Sequence, residues 1–388
     1  MPAQIRAGMR LAESYGMDCK GLDLLAADDP RTEKIWRALE AVAQPSYFLS
    51  WAWIENWLAA LPADEQPSLA VVCDGGEPAA AFFLASRRVR RNLLMTKNAL
   101  FFNASPEHAD LSIEHNGMLA VPGARRSLSG ILELLPDGWD ELYLPCLDRY
   151  AFDDLGAPSS PLATRYRVQI EREANAPFVD LEAVRHIEGG YEALLPANTR
   201  TQLRRTRGLL GDIELEVARD EAQALHIYDE MLRLPEKRSL LRGAFGGRDP
   251  AFENFHRNLI VKRFAHGEIQ LLRVSTGNST LGCLYNLVSR GRVTFYQCGL
   301  QTFDDPLLKT GYLCHAAAIE YNAASGHSTY DLVGGRARQK DCLATGSTRL
   351  VWLRVQRPNN TLATIEEGVR KMKDLFAGDD ASLVLRPV

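Results

Sequence analysis

The 388-residue chain has no apolar run approaching the length that spans a bilayer, so stable membrane insertion is not expected. Its opening, "MPAQIRAGMRLAESYGMDCK", has no continuous apolar core, so a secretory signal is not expected either. There is no excess of basic residues. Lys and Arg total 45 against 49 Asp and Glu, and a net charge of −4 gives no global field that would draw in DNA. There is no C-x-x-C pair. The cysteines at 19, 73, 146, 283, 298, 314 and 342 are scattered and odd in number. Several sit in apolar, strand-like runs, which points to a reducing compartment, the cytoplasm, rather than to a disulfide framework. A phosphate-binding NTPase loop is also absent, because Lys309-Thr310 precedes Gly311 where that motif needs Gly-Lys-Ser/Thr. The pair Gly334-Gly335 does not make a dinucleotide-binding fingerprint. His108 and His115 lie seven residues apart with no third ligand near in sequence, so no metal is expected.

The chain instead has 46% hydrophobic and 24% charged residues, the composition of a globular protein, at a length that suggests two domains. The second half reads most clearly. "DIELEVAR" (212–219) alternates as a half-buried strand does. "EAQALHIYDEMLRL" (221–234) places Leu225, Tyr228 and Leu232 at helical spacing, and a second amphipathic helix covers 251–267. Three strands follow, separated by Gly277-Asn278 and Arg290-Gly291, and short turns of that kind make an antiparallel meander. A helix from about Leu307 to Ala324 then leads to "STYDLV" (328–333), a strand reached by a helical crossover and so expected to lie parallel to the one ending near Gly299. A short helix near 337–345 and a strand at 348–356 complete the unit.

The first half echoes this order. Helical patterns at 32–43 and 50–61 precede "SLAVVC", "PAAAFFLASRRVR", an apolar stretch at 99–102, a helix near 124–135 and "DELYLPCL". Such self-similarity suggests two copies of one α/β unit, with mixed sheets carrying helices on both faces. We divide the chain into 1–180, 181–360 and a tail, 361–388. The helix at 46–62 carries three tryptophans but no Lys or Arg, so core packing accounts for it better than membrane binding does.

The junction "YQCGLQTFDDPLLKTGYL" (296–313) joins a strand to a helix. A helix start presents unpaired N–H groups and the positive end of the helix dipole, which suits an anion. Gly311 would let a ligand approach the backbone, and Lys309 would add charge. Asp304 and Asp305 speak for the alternative, a capped helix with Pro306 at its first position. On the local residues alone, capping is favoured.

The strand and helix order of 212–356 resembles the GNAT acyltransferase fold, in the bacterial CelD-like branch related to the FemAB peptidyltransferases, whose members pair two such units. That branch has Ser-Pro-Gly where this chain has Lys309-Thr310-Gly311. In "YDLVGGRARQK", Asp331 and Gly335 keep the family's four-residue step, and Lys340 follows with Gln339 in place of the usual aromatic. "FVDL" (178–181) and "NTRTQLRRTRGLL" (198–210) resemble the family's lead-in and basic helix.

The resemblance implies an acyl-CoA-dependent N-acyltransferase with acetyl-CoA, or a longer acyl-CoA, as co-substrate and no metal. It implies a small-molecule or glycan amine as acceptor, possible work in envelope or exopolysaccharide metabolism, and the donor site in the C-terminal unit. The pantetheine arm would pair along Gln297, Cys298 and Gly299, with the pyrophosphate at Lys309, Thr310 and Gly311. Asp331 would orient or deprotonate the amine, Lys340 would meet a phosphate or the acceptor, and the Tyr296 hydroxyl would reach the cleft. Asp110 corresponds to an acid that faces the family's cleft. Each assignment has a plainer counterpart: Asp331 in a turn, Lys340 on a solvated helix face, Tyr296 and Tyr285 as core aromatics, and Cys314 and His315 as packing residues. The arginine runs at 87–91 and 200–207 read either as solvated faces or as contacts for the CoA 3′-phosphate, a glycan or tRNA. Two further readings stay open: a Fem-type transferase that uses aminoacyl-tRNA, and a binding protein with a degenerate cleft.

Overall fold

The computed structural model describes residues 21–357 apart from 92–94, 107–110, 112, 156–159, 235–249, 278, 306 and 335–337. The chain is mixed α/β and divides into two compact units, one made of 1–173 with 351–388 and the other of 174–350. The boundary falls within two long strands rather than at a linker.

In the first unit, β1 (Leu22–Leu25), β2 (Ser68–Asp74), β3 (Glu77–Arg91) and β4 (Met95–Phe102) pair antiparallel in sequence order, and β5 (Leu119–Ala120) adds to β3. β6 (Glu141–Asp148) lies parallel to β4. Helices α1 (Pro30–Ala43), α2 (Trp51–Ala60), α3 (Leu128–Leu134) and α4 (Pro161–Arg165) complete it. Trp51, Trp53 and Trp57 are all buried, so the tryptophan helix is a core element. Cys146 is a free thiol, as are Cys283, Cys298, Cys314 and Cys342 of the second unit. Cys73 is disulfide-bonded, which corrects the expectation of a chain of reduced thiols at that position.

The second unit begins in β7 (Arg167–Asp180), followed by the short helices α5 (Leu181–His186) and α6 (Gly190–Leu194) and the basic helix α7 (Ala197–Leu210). Then come β8 (Glu214–Val217), α8 (Glu221–Arg233), α9 (Pro250–Arg263), the meander β9 (Ile269–Thr276), β10 (Ser279–Ser289) and β11 (Arg292–Leu300), α10 (Thr310–Ala324), β12 (Thr329–Asp331), α11 (Arg338–Leu343) and β13 (Gly346–Gln356). β8 through β11 are antiparallel neighbours, β12 is parallel to β11, and β7 is antiparallel to β12.

α8 faces the sheet with Ala224, Ile227, Tyr228 and Met231, not with the Leu225–Tyr228–Leu232 stripe that spacing suggested. The helix is apolar over a wide arc, and the sheet selects the arc whose side chains fit. On the opposite face, α10 buries Leu313, Cys314, Ala316 and Ile319 in a core with Leu272, Leu284, Val293 and Phe295.

Two glycines let these helices sit close. A Cβ on Gly299 would lie 2.2 Å from the Met231 carbonyl oxygen of α8. A Cβ on Gly282 would lie 2.9 Å from the Cys314 Sγ of α10. Gly299→Ala must therefore displace α8 or bend β11. Overpacking of this kind costs about 1–3 kcal/mol. The melting temperature of Gly299→Ala is expected to fall by several degrees in a thermal scan, and an unchanged value would contradict this packing.

Candidate functional site

β11 and β12 pair over three residues only: Arg292 with Thr329, Val293 with Tyr330, and Thr294 with Asp331. The next residue, Leu332, gives its N–H to the Pro177 oxygen at 2.9 Å and so continues the antiparallel pairing with β7, while the pairing with β11 ends at Asp331. β11 itself runs on to Leu300 with no β12 residue beside it. Parallel strands that part in this way leave a cleft edged by backbone amides.

The far side of the cleft is braced by two of the proposed site residues. Asp331 is buried. Its Oδ1 accepts from the Val333 N–H at 2.8 Å and its Oδ2 from the Arg292 Nη1 at 2.9 Å. Val333 is held at φ 51°, a left-handed conformation that is costly for a β-branched residue. Lys340 is buried as well, so its plainer counterpart, a solvated helix face, does not hold. Its Nζ lies 3.5 Å from the Val333 oxygen and 3.4 Å from the Gly334 oxygen, and 5.6 Å from the Phe295 ring centroid. Asp331 and Lys340 thus hold the turn that carries β12 away from β11.

The near side is β11. Tyr285 pairs with Gln297 and Asn286 with Phe295, which leaves Tyr296 as the extra residue of a β-bulge. A bulge re-aims a side chain, and the Tyr296 hydroxyl lies 3.2 Å from Nε2 of His256 on α9. The Gln297 Oε1 is buried with no hydrogen-bond partner among the described residues. Cys298 packs half-buried against the α10 core, and Gly299 faces Met231.

Beyond β11, α10 begins at Thr310, not at Leu307. Its N-cap is Lys309, with no side-chain cap. Asp305 does not cap it: Oδ1 accepts from Leu307 N–H at 2.8 Å, in a turn of its own. Pro306 lies outside the described residues. The helix start is fixed from elsewhere, by Lys309 N–H donating to Thr206 Oγ1 at 3.1 Å and Thr310 Oγ1 donating to the Gln301 oxygen at 3.1 Å. Gly311 sits against Leu300, which a Cβ would approach to 3.2 Å. Of the basic run on α7, Arg204 and Arg207 bond Glu192 at 2.8 and 2.6 Å.

The corresponding places in the first unit are closed. Asn116 lies between the ends of β4 and β6, its Nδ2 donating to the Phe102 oxygen at 3.3 Å and the Pro145 oxygen at 2.9 Å. Asn103 supports it through its Nδ2, 2.9 Å from the Asn116 Oδ1. The start of α3 is occupied by Asp154, which accepts from Leu128 N–H at 2.8 Å and Ser129 N–H at 2.9 Å. An acid from outside the helix fills the position that stays uncapped at α10.

The proposed residues fall into three groups: Tyr296 to Gly299 along β11, Lys309 to Gly311 at the start of α10, and Asp331 with Lys340 at the turn after β12. Asp110, His108, Gly335 and the loop at 241–249 lie outside the described residues. Thr206 and His256 were not singled out in sequence. His256 could have been, as the one polar residue in the apolar stripe Phe252, Phe255, Leu259 of α9. His315, on α10, meets the Phe295 ring edge-on at 4.5 Å, and its Nδ1 is buried without a partner.

Residues 197–341 match the family described as Acetyltransferase (GNAT) domain. No curated protein matches the chain. Among solved structures it is similar to FemX, with 10% identity, 80% of this chain and 92% of that one covered, and a TM-score of 0.49. It is also similar to L-PGS from Bacillus licheniformis (13% identity, 90% and 98% covered, TM-score 0.46). A third is a tandem GNAT protein from the clavulanic acid biosynthesis pathway (14% identity, 86% and 98% covered, TM-score 0.46).

Burial pushes His256 and His315 down to about 3, with the Lys340 charge adding to the effect at His315. Both are neutral in the folded protein near pH 7. Between about pH 6.5, where a histidine in the unfolded chain takes up its proton, and pH 3, the unfolded state holds more protons, so stability falls as pH falls. Each histidine contributes a slope of about 1.4 kcal/mol per pH unit in that window. In urea unfolding followed from pH 7.5 to 5, His315→Phe is expected to lose that much of the slope. At pH 7.5 it should be neutral or stabilising, because it removes an unpaired buried nitrogen. An unchanged slope would show that His315 is charged or exposed.

Proposed function

We propose that this chain, a GNAT-superfamily acyltransferase by its residues 197–341, is an N-acyltransferase that takes its acyl group from an acyl-CoA. The observation that carries the reading is the stretch of β11 beyond Thr294 that β12 does not pair with, ending at a helix whose N-cap residue, Lys309, makes no side-chain cap among the described residues. An extended pantetheine arm has amide groups that suit a strand edge, and a pyrophosphate suits a helix N-terminus with a lysine beside it. Thr206, by holding Lys309 N–H, sets where that helix starts.

With the donor along β11, the thioester lies beside the Tyr296 bulge. The acceptor amine forms a C–N bond at the carbonyl carbon. The carbonyl oxygen takes up negative charge against β11 N–H groups near Gln297 to Gly299, and collapse breaks the C–S bond with the electron pair left on sulfur. The proton lost by nitrogen ends on sulfur. Asp331, already bonded to Val333 N–H and Arg292, serves this scheme by keeping the cleft open rather than as the base. Positioning supplies most of the rate. The acceptor is a small-molecule or glycan amine, with envelope or exopolysaccharide metabolism as its setting, and an acyl-CoA donor places the reaction in the cytoplasm.

Calorimetric titration with CoA and acetyl-CoA tests the reading, and no heat from either would sink it. Lys309→Glu keeps a residue that a helix N-terminus tolerates well but repels a pyrophosphate. It is expected to weaken CoA binding by about tenfold or more while leaving the melting temperature unchanged. Equal affinity in the variant would move the pyrophosphate elsewhere.

A further inference from the structure

In the second unit, α5, α6, α7 and the C-terminal turns of α10 line a cavity of about 400 Å³. Small-molecule pockets are commonly of roughly 300–1,000 Å³. One wall is the turn Gly189-Gly190, held at φ 88° and 64°, which favours glycine and so brings no side chain into the space. A Cβ on Gly190 would meet nothing within 4 Å. Val184 and Ala323 add apolar surface, and Tyr191 adds its ring, since its hydroxyl is spent on the Leu343 oxygen at 2.5 Å.

Four charged side chains also line the cavity, and two of them satisfy each other. Arg207 Nη1 donates to Glu192 Oε1 at 2.6 Å, while Arg204 Nε takes the other oxygen at 2.8 Å. That leaves Glu320 and Arg185. The Glu320 side chain is 43% exposed, and its ion pair with Arg207 is 3.9 Å long, beyond hydrogen-bond reach. Its carboxylate makes no hydrogen bond among the described residues. Burial and the Glu192 charge push this carboxyl up against the pull of Arg207, so its surroundings favour a further cation. Arg185 is the complement. Its Nη1 donates to the Ala323 oxygen at 3.1 Å and the His327 oxygen at 2.5 Å, which fixes the guanidinium at the end of α10. Its Nε and Nη2 donors make no bond, and no carboxylate pairs with it, among the described residues.

One cavity thus presents a reachable carboxylate and a fixed guanidinium that no ion pair joins to each other. We propose that it binds a small amino-acid zwitterion, with the ammonium at Glu320, the carboxylate at Arg185 and a short apolar portion against Val184 and Ala323. Arg185 meets the carboxylate with a planar pair of N–H groups, and Glu320 supplies the counter-charge that the ammonium needs. The site is separate from the acyl-CoA reading: it lies at the C-terminal end of α10, and the proposed donor site lies at the start of that helix.

Calorimetric titration of the full chain with glycine, L-alanine, L-valine and β-alanine tests the proposal. At least one is expected to bind. Its N-acetyl form, which lacks the ammonium, and its amide, which lacks the carboxylate, should each bind about tenfold or more weaker. Glu320→Gln removes the counter-charge, and Arg185→Gln keeps an N–H for the α10 carbonyls but removes the guanidinium. Both variants are expected to lose about tenfold or more in affinity for the amino acid. The melting temperature of Glu320→Gln without ligand should be unchanged or raised, because the acid makes no hydrogen bond that the fold would lose. Should Arg185→Gln fail to fold, the comparison of amino acid with amide reports on the carboxylate contact in its place. No heat from any of the four, derivatives that bind as tightly as the free amino acid, or unchanged affinity in Glu320→Gln would each overturn the proposal.

Discussion

The pairing of β11 with β12 stops after Thr294 and Asp331, and the second unit is organised around that stop. β12 stays on β7 for one more residue, with Leu332 N–H at the Pro177 oxygen, and the chain turns only after it. A turn that sharp places Val333 at a positive φ, which the chain sustains because the Asp331 carboxylate takes the Val333 N–H and Lys340 reaches the carbonyls of Val333 and Gly334. A buried carboxylate and a buried ammonium are both costly unless bonded. Here their bonds go to one turn, so their desolvation cost is offset where the strands must be held apart.

The same elements in the first unit reach a different outcome. β4 and β6 are parallel neighbours like β11 and β12, yet Asn116 and Asn103 fill the space between their ends, and Asp154 fills the start of α3. Two asparagine side chains and one aspartate turn a cleft into a satisfied interior. The contrast is one of polar bookkeeping rather than topology. In the first unit the chain itself supplies the partners for these amides.

Much of the second unit was legible in sequence because its signals are local. The meander of β9 to β11 carries turn residues at each corner, and the parallel placement of β12 follows from the length of the crossover through α10. What failed depended on contacts distant in sequence. The Asp304–Asp305 pair looks like a helix cap, but Asp305 closes its own turn and the helix start is set by Thr206, 103 residues earlier. Lys340 is read as a phosphate or acceptor contact, and its neighbours, the Val333 and Gly334 oxygens and the Phe295 ring, do not show in the sequence around it. Most of β7 went unseen because 170–173 are exposed and mostly charged, and burial sets in only from Ala176. At Gly299 the absence of a side chain also admits α8, a packing demand that local sequence does not show.

The central proposal is that an acyl-CoA lies along β11 beyond its pairing with β12 and ends at the start of α10. Hydrogen–deuterium exchange of the intact chain with and without CoA tests it most directly, because both segments present backbone amides. The account predicts new protection confined to residues 295–300 and 309–312, with none at the matching ends of β4 and β6. Protection at those β4 and β6 ends, or none at 295–300 while CoA is bound, would contradict it.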